Sequence, residues 1–268
     1  MTKRHYHNTN INDFTDYRLT GDARISPNAT AKQVRCYRRL LLPLGPQSTI
    51  LDVSCRDGRL TIPLAKFYKM VVGVDANEQL LGKAQAAQDT LKNIRFAKND
   101  ARKLEFDDNS FDGVVSGFSS WGVYGEKEDR AALQEMVRVL RPGGTLVLDY
   151  GNIDARLREI AMNGVFNENL QQQVVYELFE TPRGEAVVRT SWVDSKLCYH
   201  WICQRVGFDS PVVVGIQQGY PMKKLVGMLL EAGLQELEVF GDYDLSPVND
   251  EDNRLIVRGI KTDAAIES

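Results

Sequence analysis

Repeated alternation of strands and helices between residues 49 and 150 constrains the fold of this chain more than any other feature. Short apolar runs predict strands at residues 50–53, 70–75, 93–98, 111–115 and 145–149, with helical periodicity between several of them. Such alternation is typical of a parallel sheet covered by helices. Ligands bind these sheets in a crevice outside the carboxyl ends of the strands. The sequence therefore predicts a Rossmann-like α/β domain with a ligand site at one edge of its sheet.

Composition and charge limit the classes of function. The chain has 268 residues and a formal net charge of -3, so it lacks the basic surface expected of a nucleic-acid-binding protein. Its four cysteines show no C-x-x-C spacing, which argues against a zinc-thiolate site. No run of about 18 apolar residues occurs, and the first residues lack the apolar core of a signal peptide. We therefore expect a cytoplasmic protein with no metal site, no membrane contact and no nucleic-acid partner.

The pattern of segments predicts four regions. They are an N-terminal arm (1–28), a Rossmann-like domain (29–152 and 220–261), a β-rich substrate lid (153–219) and a disordered tail (262–268). Helices are predicted at residues 29–42, 77–90, 127–140, 153–162 and 221–232, and lid strands at 173–180, 186–193 and 197–206. Two closing strands at 236–241 and 255–261 would complete a mostly parallel seven-stranded sheet. The predicted fold class is α/β with an antiparallel β insertion near the C-terminal half.

Acidic residues stand at the ends of the first three predicted strands. Asp52 lies in the first strand, Asp75 closes the second strand 23 positions later, and Asp100 follows the third. Parallel strands bring their carboxyl ends to one edge, so the three carboxylates are expected near one ligand. Asp75 could accept both hydroxyls of a ribose, and Asp100 could accept the amine of an adenine. Each residue alone also fits a capped turn, but their order and spacing together favour an adenosine-containing ligand.

Five motifs in this region follow a familiar order. They are ILDVSCRDGRL at 50–60, VGVD at 72–75, NDA at 99–101, SFDGV at 110–114 and LRPGG at 140–144. In this order they resemble the motifs of class I S-adenosylmethionine-dependent methyltransferases that act on small molecules. The resemblance covers about residues 35–152 and 220–261, and it implies S-adenosylmethionine as the cofactor. The residues predicted to bind it are Tyr17, Asp52, Ser54, Arg56, Gly58, Asp75, Ala76, Asp100, Ala101 and Phe118.

The loop after the first strand departs from the family pattern. Ser54 and Arg56 stand where the family usually has glycine, and only Gly58 of the three glycines remains. An arginine with a positive φ costs on the order of 1 kcal/mol. In one interpretation Arg56 contacts the methionine carboxylate of the cofactor through a charge-assisted hydrogen bond. In the other, Arg56 points to solvent or pairs with Asp57, and the pocket is weakened.

Aromatic residues follow the fourth and fifth strands, at the edge where a transferred methyl group would lie. Methyl transfer from a sulfonium mainly requires alignment of the acceptor, so the walls of the pocket matter. Trp121, Tyr150 and Asn152 are predicted to contact the substrate, and Tyr124 to take part in catalysis. An aromatic plug that packs against the next helix fits Trp121 and Tyr124 nearly as well. His200, in a lid strand, is the candidate general base, although a lone strand histidine is more often structural.

The predicted function is transfer of a methyl group to a small molecule that bears an amine or a hydroxyl. The alternative is a protein with the same fold that binds S-adenosylmethionine or another ligand without methyl transfer, and the altered loop motivates it. A nicotinamide dehydrogenase is disfavoured because the G-x-G-x-x-G fingerprint is missing. RNA is disfavoured as an acceptor by the acidic charge. A peptide acceptor stays open, as does a homodimer formed through the lid.

Overall fold

A computed structural model of the protein describes residues 25–88, 91–180, 184–207 and 211–262, the last range without the side chains of 211–214. The predicted arm at 1–28, except its last four residues, and the predicted tail at 262–268, except its first residue, lie outside this description. The described helices are α1 (Pro27–Leu40), α2 (Thr61–Leu64), α3 (Glu78–Ala87), α4 (Glu126–Val139), α5 (Ile153–Asn163) and α6 (Met222–Glu231).

The described strands are β1 (Thr49–Val53), β2 (Met70–Asp75), β3 (Ile94–Lys98), β4 (Phe111–Ser116), β5 (Leu140–Gly151), β6 (Val165–Asn167), β7 (Gln172–Glu180), β8 (Ala186–Val193), β9 (Cys198–Arg205), β10 (Pro211–Gln218), β11 (Leu234–Phe240) and β12 (Arg254–Lys261). They fall into two compact units. The large unit contains Pro27–Ala155 and the chain from Gln218 onward, and the small unit contains Arg156–Gln217.

A seven-stranded sheet forms the centre of the large unit, in the order β11-β12-β5-β4-β1-β2-β3. Strands β1 to β5 are parallel, whereas β12 runs antiparallel to both β5 and β11. The predicted mostly parallel seven-stranded fold is confirmed. From β1 the chain builds outward to β2 and β3 on one side, and later to β4 and β5 on the other. The strand order therefore reverses between β1 and β4, and a crevice opens at their carboxyl ends, where sheets of this kind bind ligands.

Both faces of the sheet are covered because successive side chains of a strand point to opposite sides. Leu146 and Leu148 of β5 lie in a cluster with Leu133 of α4 and Leu229 of α6. The residue between them, Val147, belongs to the cluster on the other face. That cluster also contains Tyr37 and Leu41 near α1, Leu64 of α2 and Ile50 of β1. The α1 face of the sheet is the face on which the alternation also places Asp52 and Asp149.

A five-stranded sheet forms the centre of the small unit, in the order β10-β9-β8-β7-β6. Strands β6, β7, β8 and β9 pair in antiparallel fashion, as the predicted hairpins require. Strands β6 and β10 were not predicted. Strand β6 has only three residues, which is too short for a clear sequence pattern. Strand β10 starts with Pro211 and contains Gly215, and both residue types are uncommon inside strands. A proline is tolerated as the first residue of a strand because its missing N–H is not needed there.

One further difference concerns the start and end of β5. Strand β5 extends over Leu140–Gly151, beyond the predicted 145–149, because Leu140 already pairs with β4, while residues 141–144 form an irregular stretch before Thr145 pairs with Gly113. Residue Leu140 opposes Phe111 of β4, and the register shifts before Gly113.

In the part of the chain that is described, no helix is long and apolar enough to cross a membrane.

Candidate active site

The loop after β1 runs beside the crevice with three residues in left-handed conformation. Ser54 has a φ of 62°, Arg56 a φ of 57° and Gly58 a φ of 77°. A Cβ at position 58 would lie 2.8 Å from the ring of Phe96, so glycine is required there by space as well as by conformation. Ser54 and Arg56 adopt the same left-handed region without that freedom, at a cost on the order of 1 kcal/mol each. The loop thus keeps the conformation that glycines favour although two of them are replaced.

Asp75 ties this loop to the end of β2. Its Oδ2 accepts a hydrogen bond from the backbone N–H of Arg56 at 2.9 Å, and its Oδ1 accepts one from the N–H of Asn77 at 2.8 Å. Burial raises the pKa of Asp75, and the backbone hydrogen bonds oppose that rise. Each carboxylate oxygen offers two lone pairs. Asp75 is only half-buried, so its carboxylate can hold the loop and still accept a hydrogen bond from a ligand.

Asp52 occupies the interior below the loop. It is 2% exposed, and the hydroxyl of Thr61 donates to its Oδ2 at 2.6 Å. Burial raises the pKa of Asp52 to about 7, although the Thr61 hydrogen bond and the positive charge of Arg59 lower it. The carboxyl therefore joins β1 to the start of α2, and it presents almost no surface to a ligand.

Asp100 is paired with Arg102 at the end of β3. The Nε and Nη2 atoms of Arg102 donate to the two carboxylate oxygens at 3.0 and 2.6 Å, and this hydrogen bonding lowers the pKa of Asp100. The guanidinium also lies 4.7 Å from the ring centroid of Tyr124. Burial raises the pKa of Tyr124 to about 12, so at neutral pH its hydroxyl is protonated. An adenine amine would share the Asp100 carboxylate with Arg102 or displace it.

The backbone after β4 forms the opposite wall of the crevice. Phe118 and Ser119 have φ values of 56° and 59°. The N–H of Phe118 donates to Oδ2 of Asp149 at 3.1 Å, and the N–H of Ser119 donates to the carbonyl oxygen of Asp149 at 2.8 Å. The sequence indicates Asp149 only as the end of a predicted strand, because its partners lie outside the five motifs. Its acidic position at a strand end, like those of Asp52 and Asp75, was the available signal.

The predicted substrate-binding residues lie in the interior of the large unit. Trp121, Tyr150 and Asn152 are 3%, 1% and 3% exposed. The indole of Trp121 donates to the carbonyl oxygen of Asp129 at 2.7 Å, and its ring lies against Tyr150 and Tyr220. The hydroxyl of Tyr150 donates to the carbonyl oxygen of Gln218, and the amide of Asn152 to that of Asp252 at 2.8 Å. These contacts fix the loop after β4 and the end of β5.

Two alanines complete the predicted set in the large unit. The backbone N–H of Ala76 contributes to the hydrogen bonding of Asp75, and Ala76 is half-buried. Ala101 is 7% exposed and belongs to the apolar core on the α4 face of the sheet. Tyr17, the remaining predicted cofactor contact, lies outside the described residues.

His200 lies in the small unit, on the hairpin formed by β8 and β9. It opposes Trp192 across the hairpin, and the two rings are stacked with centroids 5.0 Å apart. Its Nε2 lies 3.0 Å from Oδ2 of Asp194. The other carboxylate oxygen of Asp194 accepts the N–H groups of Lys196 and Cys198 at 2.9 Å each. These hydrogen bonds lower the pKa of Asp194 although burial raises it. The carboxylate therefore fixes both the turn and the imidazole.

No group of three or more histidine, cysteine, aspartate or glutamate side chains in the described ranges could hold a metal ion. The four cysteines, all within those ranges, are free thiols.

Residues 50–144 match the family model of a methyltransferase domain. This segment contains the loop after β1, Asp75, Asp100 and the loop after β4, which together line the crevice. Residues 50–144 are a methyltransferase domain. The prediction of a class I S-adenosylmethionine-dependent methyltransferase is thus confirmed at the level of family and fold.

Known proteins similar to the chain fall into curated relatives and solved structures. Over 100 residues the chain is 39% identical to a demethylmenaquinone methyltransferase of Staphylococcus aureus, a match that covers 36% of this chain and 40% of the relative. The chain thus spans about two fifths of the length of the curated relatives that it matches.

Two solved structures extend the similarity of fold to nearly the whole chain. CcbJ, a methyltransferase from Streptomyces caelestis, has a TM-score of 0.73 at 19% identity, with 94% of this chain and 96% of that chain covered. S-adenosylmethionine-bound CalS10, an amino pentose methyltransferase from Micromonospora echinaspora, has a TM-score of 0.63 at 20% identity, with 96% of this chain and 100% of that chain covered. At such identities these structures establish the shared fold.

Proposed function

We propose that this protein is an S-adenosylmethionine-dependent methyltransferase that acts on a small molecule bearing an amine or a hydroxyl. The observation that carries the proposal is the loop after β1. Its left-handed residues Ser54 and Arg56 preserve the conformation expected of glycines, and the N–H of Arg56 is held by Asp75. The sequence departs from the family pattern at this loop, but the backbone that would approach the ligand is retained.

The large unit supplies the groups that would hold the cofactor. Asp75 offers the remaining lone pairs of its two oxygens to the ribose hydroxyls, and Asp100 offers its carboxylate to the adenine amine. Phe118 lies across the crevice from the loop after β1 because β1 and β4 are neighbours in the sheet. Asp52 supports the loop from below through Thr61. Because Trp121, Tyr150 and Asn152 are buried, we assign them a structural role in the framework of the site. We place Tyr124 at the edge of the site.

When bound, S-adenosylmethionine would supply an electrophilic methyl group, whose carbon would take up a lone pair of the acceptor as its bond to the positively charged sulfur breaks. The residues that line the site then have to orient the acceptor, exclude water and take up the proton that the acceptor releases. His200 suits the last role, because a carboxylate that accepts the Nε2–H of an imidazole leaves its Nδ1 as the basic nitrogen. Protonated Tyr124 suits orientation through its hydroxyl.

Similar proteins and the chemistry of methyl transfer both point to the class of acceptor. CalS10 acts on an amino pentose, and the curated relative is a demethylmenaquinone methyltransferase, so both relatives support a small-molecule acceptor. A neutral amine needs less help from a base than a hydroxyl does. A base such as His200 would widen the range of acceptors to hydroxyls.

The test combines binding with turnover. Isothermal titration measures the heat of S-adenosylhomocysteine binding, and mass spectrometry measures methyl transfer to a panel of amino sugars, other amines and phenols. The proposal predicts binding and a mass gain of one methyl group on at least one acceptor class. Binding without transfer to any acceptor would favour the alternative function, a protein of this fold that binds its ligand without methyl transfer.

A further inference from the structure

A buried carboxylate joins four elements of the large unit beside the crevice. Asp149 of β5 is completely buried. It accepts hydrogen bonds from the hydroxyl of Tyr37 on α1, from the hydroxyl of Tyr243 at 2.8 Å and from the guanidinium of Arg254 on β12. A fourth donor is the backbone N–H of Phe118 after β4, at 3.1 Å.

The charge of this cluster is balanced internally. Arg254 pairs with Asp149, and only 22% of its side chain is exposed. Burial raises the pKa of both Tyr37 and Tyr243, and the negative charge of Asp149 raises them further. Both hydroxyls are therefore protonated at neutral pH and act as donors. Such charge-assisted hydrogen bonds in a buried site are stronger than neutral ones.

The backbone that Asp149 holds is in an unfavourable conformation. Phe118 and Ser119 are consecutive non-glycine residues with positive φ, a conformation that persists only when its surroundings determine it. Asp149 determines it twice, because its Oδ2 accepts the N–H of Phe118 and its carbonyl oxygen accepts the N–H of Ser119.

The side chain of Phe118 is fixed by the same cluster. The guanidinium of Arg254 lies 5.2 Å from its ring centroid, and that of Arg59 lies 5.3 Å from it. Arg59 in turn donates to Gln33 at 2.5 Å, and Gln33 donates to the Tyr243 hydroxyl at 2.9 Å. A chain of contacts therefore leads from both arginines back to Asp149.

We propose that Asp149 is a positioning residue for cofactor binding, which acts through Phe118 by holding it in left-handed conformation at the wall of the crevice. The inference rests on the proposed function, because Phe118 matters only if the crevice binds the cofactor. No contact between Asp149 and the ligand is required, and its complete burial is consistent with an indirect role.

A double-mutant cycle tests this claim. The dissociation constant of S-adenosylhomocysteine is measured by titration for the wild type, Asp149→Asn, Phe118→Ala and the double variant. Loss of the charged hydrogen bonds should weaken binding by about tenfold. Phe118→Ala should also weaken binding, and the double variant should match Phe118→Ala within about twofold, because a residue that acts through Phe118 has no effect once its side chain is gone. Additive losses would overturn the inference.

The matched control is Asp112, a carboxylate that also binds a backbone N–H and an arginine. It lies at the amino end of β4, away from the crevice. Asp112 accepts the backbone N–H of Thr49 at 2.7 Å and pairs with Arg141. Asp112→Asn should leave the dissociation constant within about twofold and should be additive with Phe118→Ala. If Asp149→Asn does not fold, Tyr243→Phe takes its place in the cycle with the same expected non-additivity.

Titration of the wild-type protein distinguishes a failure of the proposed function from a failure of the role of Asp149. Absence of binding by the wild type would contradict the proposed function. Binding by the wild type together with an additive cycle would contradict the role of Asp149 alone. Full non-additivity for Asp149 and additivity for Asp112 would support it.

Discussion

The three carboxylates at the strand ends differ in their hydrogen-bond partners and in the direction of their pKa shifts because their surroundings differ. Asp52 is enclosed and accepts a hydrogen bond from one hydroxyl. Asp75 accepts the backbone N–H groups of Arg56, Asn77 and Ala76 and is still partly accessible to a ligand. Asp100 is paired with Arg102. Burial dominates the first two environments, and an ion pair dominates the third. We therefore propose that Asp52 supports the loop, that Asp75 contacts the ligand directly, and that Asp100 contacts the ligand in exchange for Arg102.

The raised pKa of Asp52 makes stability depend on pH. Its pKa is 3.8 when unperturbed and about 7 in the fold, so the folded state binds more protons in this interval. Its contribution to stability is complete below the lower value and is lost as pH rises through the higher one, by about 4 kcal/mol. Asp52→Asn should flatten the decline of the unfolding free energy across this interval, measured by urea titration at several pH values.

Thr61→Val provides the matched variant for this prediction. The Thr61 hydroxyl lowers the pKa of Asp52, so its removal should move the upper end of the decline to higher pH. An identical pH dependence for the wild type and Asp52→Asn would contradict the assignment.

The turn from β2 into α3 connects Asp75, the proposed ligand contact, with Asn77, the residue that caps α3. Asn77 accepts the N–H groups of Gln79 and Leu80 at 3.0 and 3.1 Å, while its own N–H is held by Asp75. Asn77→Ala should lower the unfolding free energy by about 1 kcal/mol because the cap is lost. Urea denaturation measures the change. Asn77→Ser should restore most of it, and equal losses for the two variants would exclude a capping role.

The hairpin of β8 and β9 carries the predicted base. His200→Gln should lower kcat by roughly a hundredfold or more for a hydroxyl acceptor, with the dissociation constant of S-adenosylhomocysteine unchanged. Asp194→Asn keeps an acceptor for the turn but removes the carboxylate that holds the imidazole, so it should also lower kcat for the hydroxyl acceptor. Steady-state kinetics measure both effects. An unchanged kcat in both variants would reduce the His200–Asp194 pair to a structural role.

Elements with strong local signals were predictable. The β2 bounds and the Asn77 cap follow from an apolar run and a capping residue, and the structure confirms both. Strand β10 was missed because its proline and glycine oppose local strand propensity, which pairing with β9 overrides. The Asp149 cluster was missed for a different reason. Its partners Tyr37, Tyr243 and Arg254 are far apart in sequence, and only the packed sheet brings them together.

Ligand binding should stabilise the molecule unevenly. A ligand that binds only the folded state at 100 times its dissociation constant adds about 2.7 kcal/mol to the unfolding free energy. Hydrogen exchange should show added protection in residues 54–58, 75–77 and 117–119, which line the crevice of the large unit. Mass spectrometry of peptides from the protein with and without S-adenosylhomocysteine measures this. Protection confined to the small unit would contradict the placement of the site.

At the scale of the whole molecule, the account depends on the crevice between β1 and β4 still binding an adenosyl group after two glycines of its loop have been replaced. Calorimetric titration of S-adenosylhomocysteine into the full chain tests this most directly, with Asp75→Ala and Asp112→Asn as paired variants. We predict saturable heat for the wild type and Asp112→Asn, and at least a tenfold weaker dissociation constant for Asp75→Ala. No heat with the wild type, or equal affinities for the wild type and Asp75→Ala, would contradict the account.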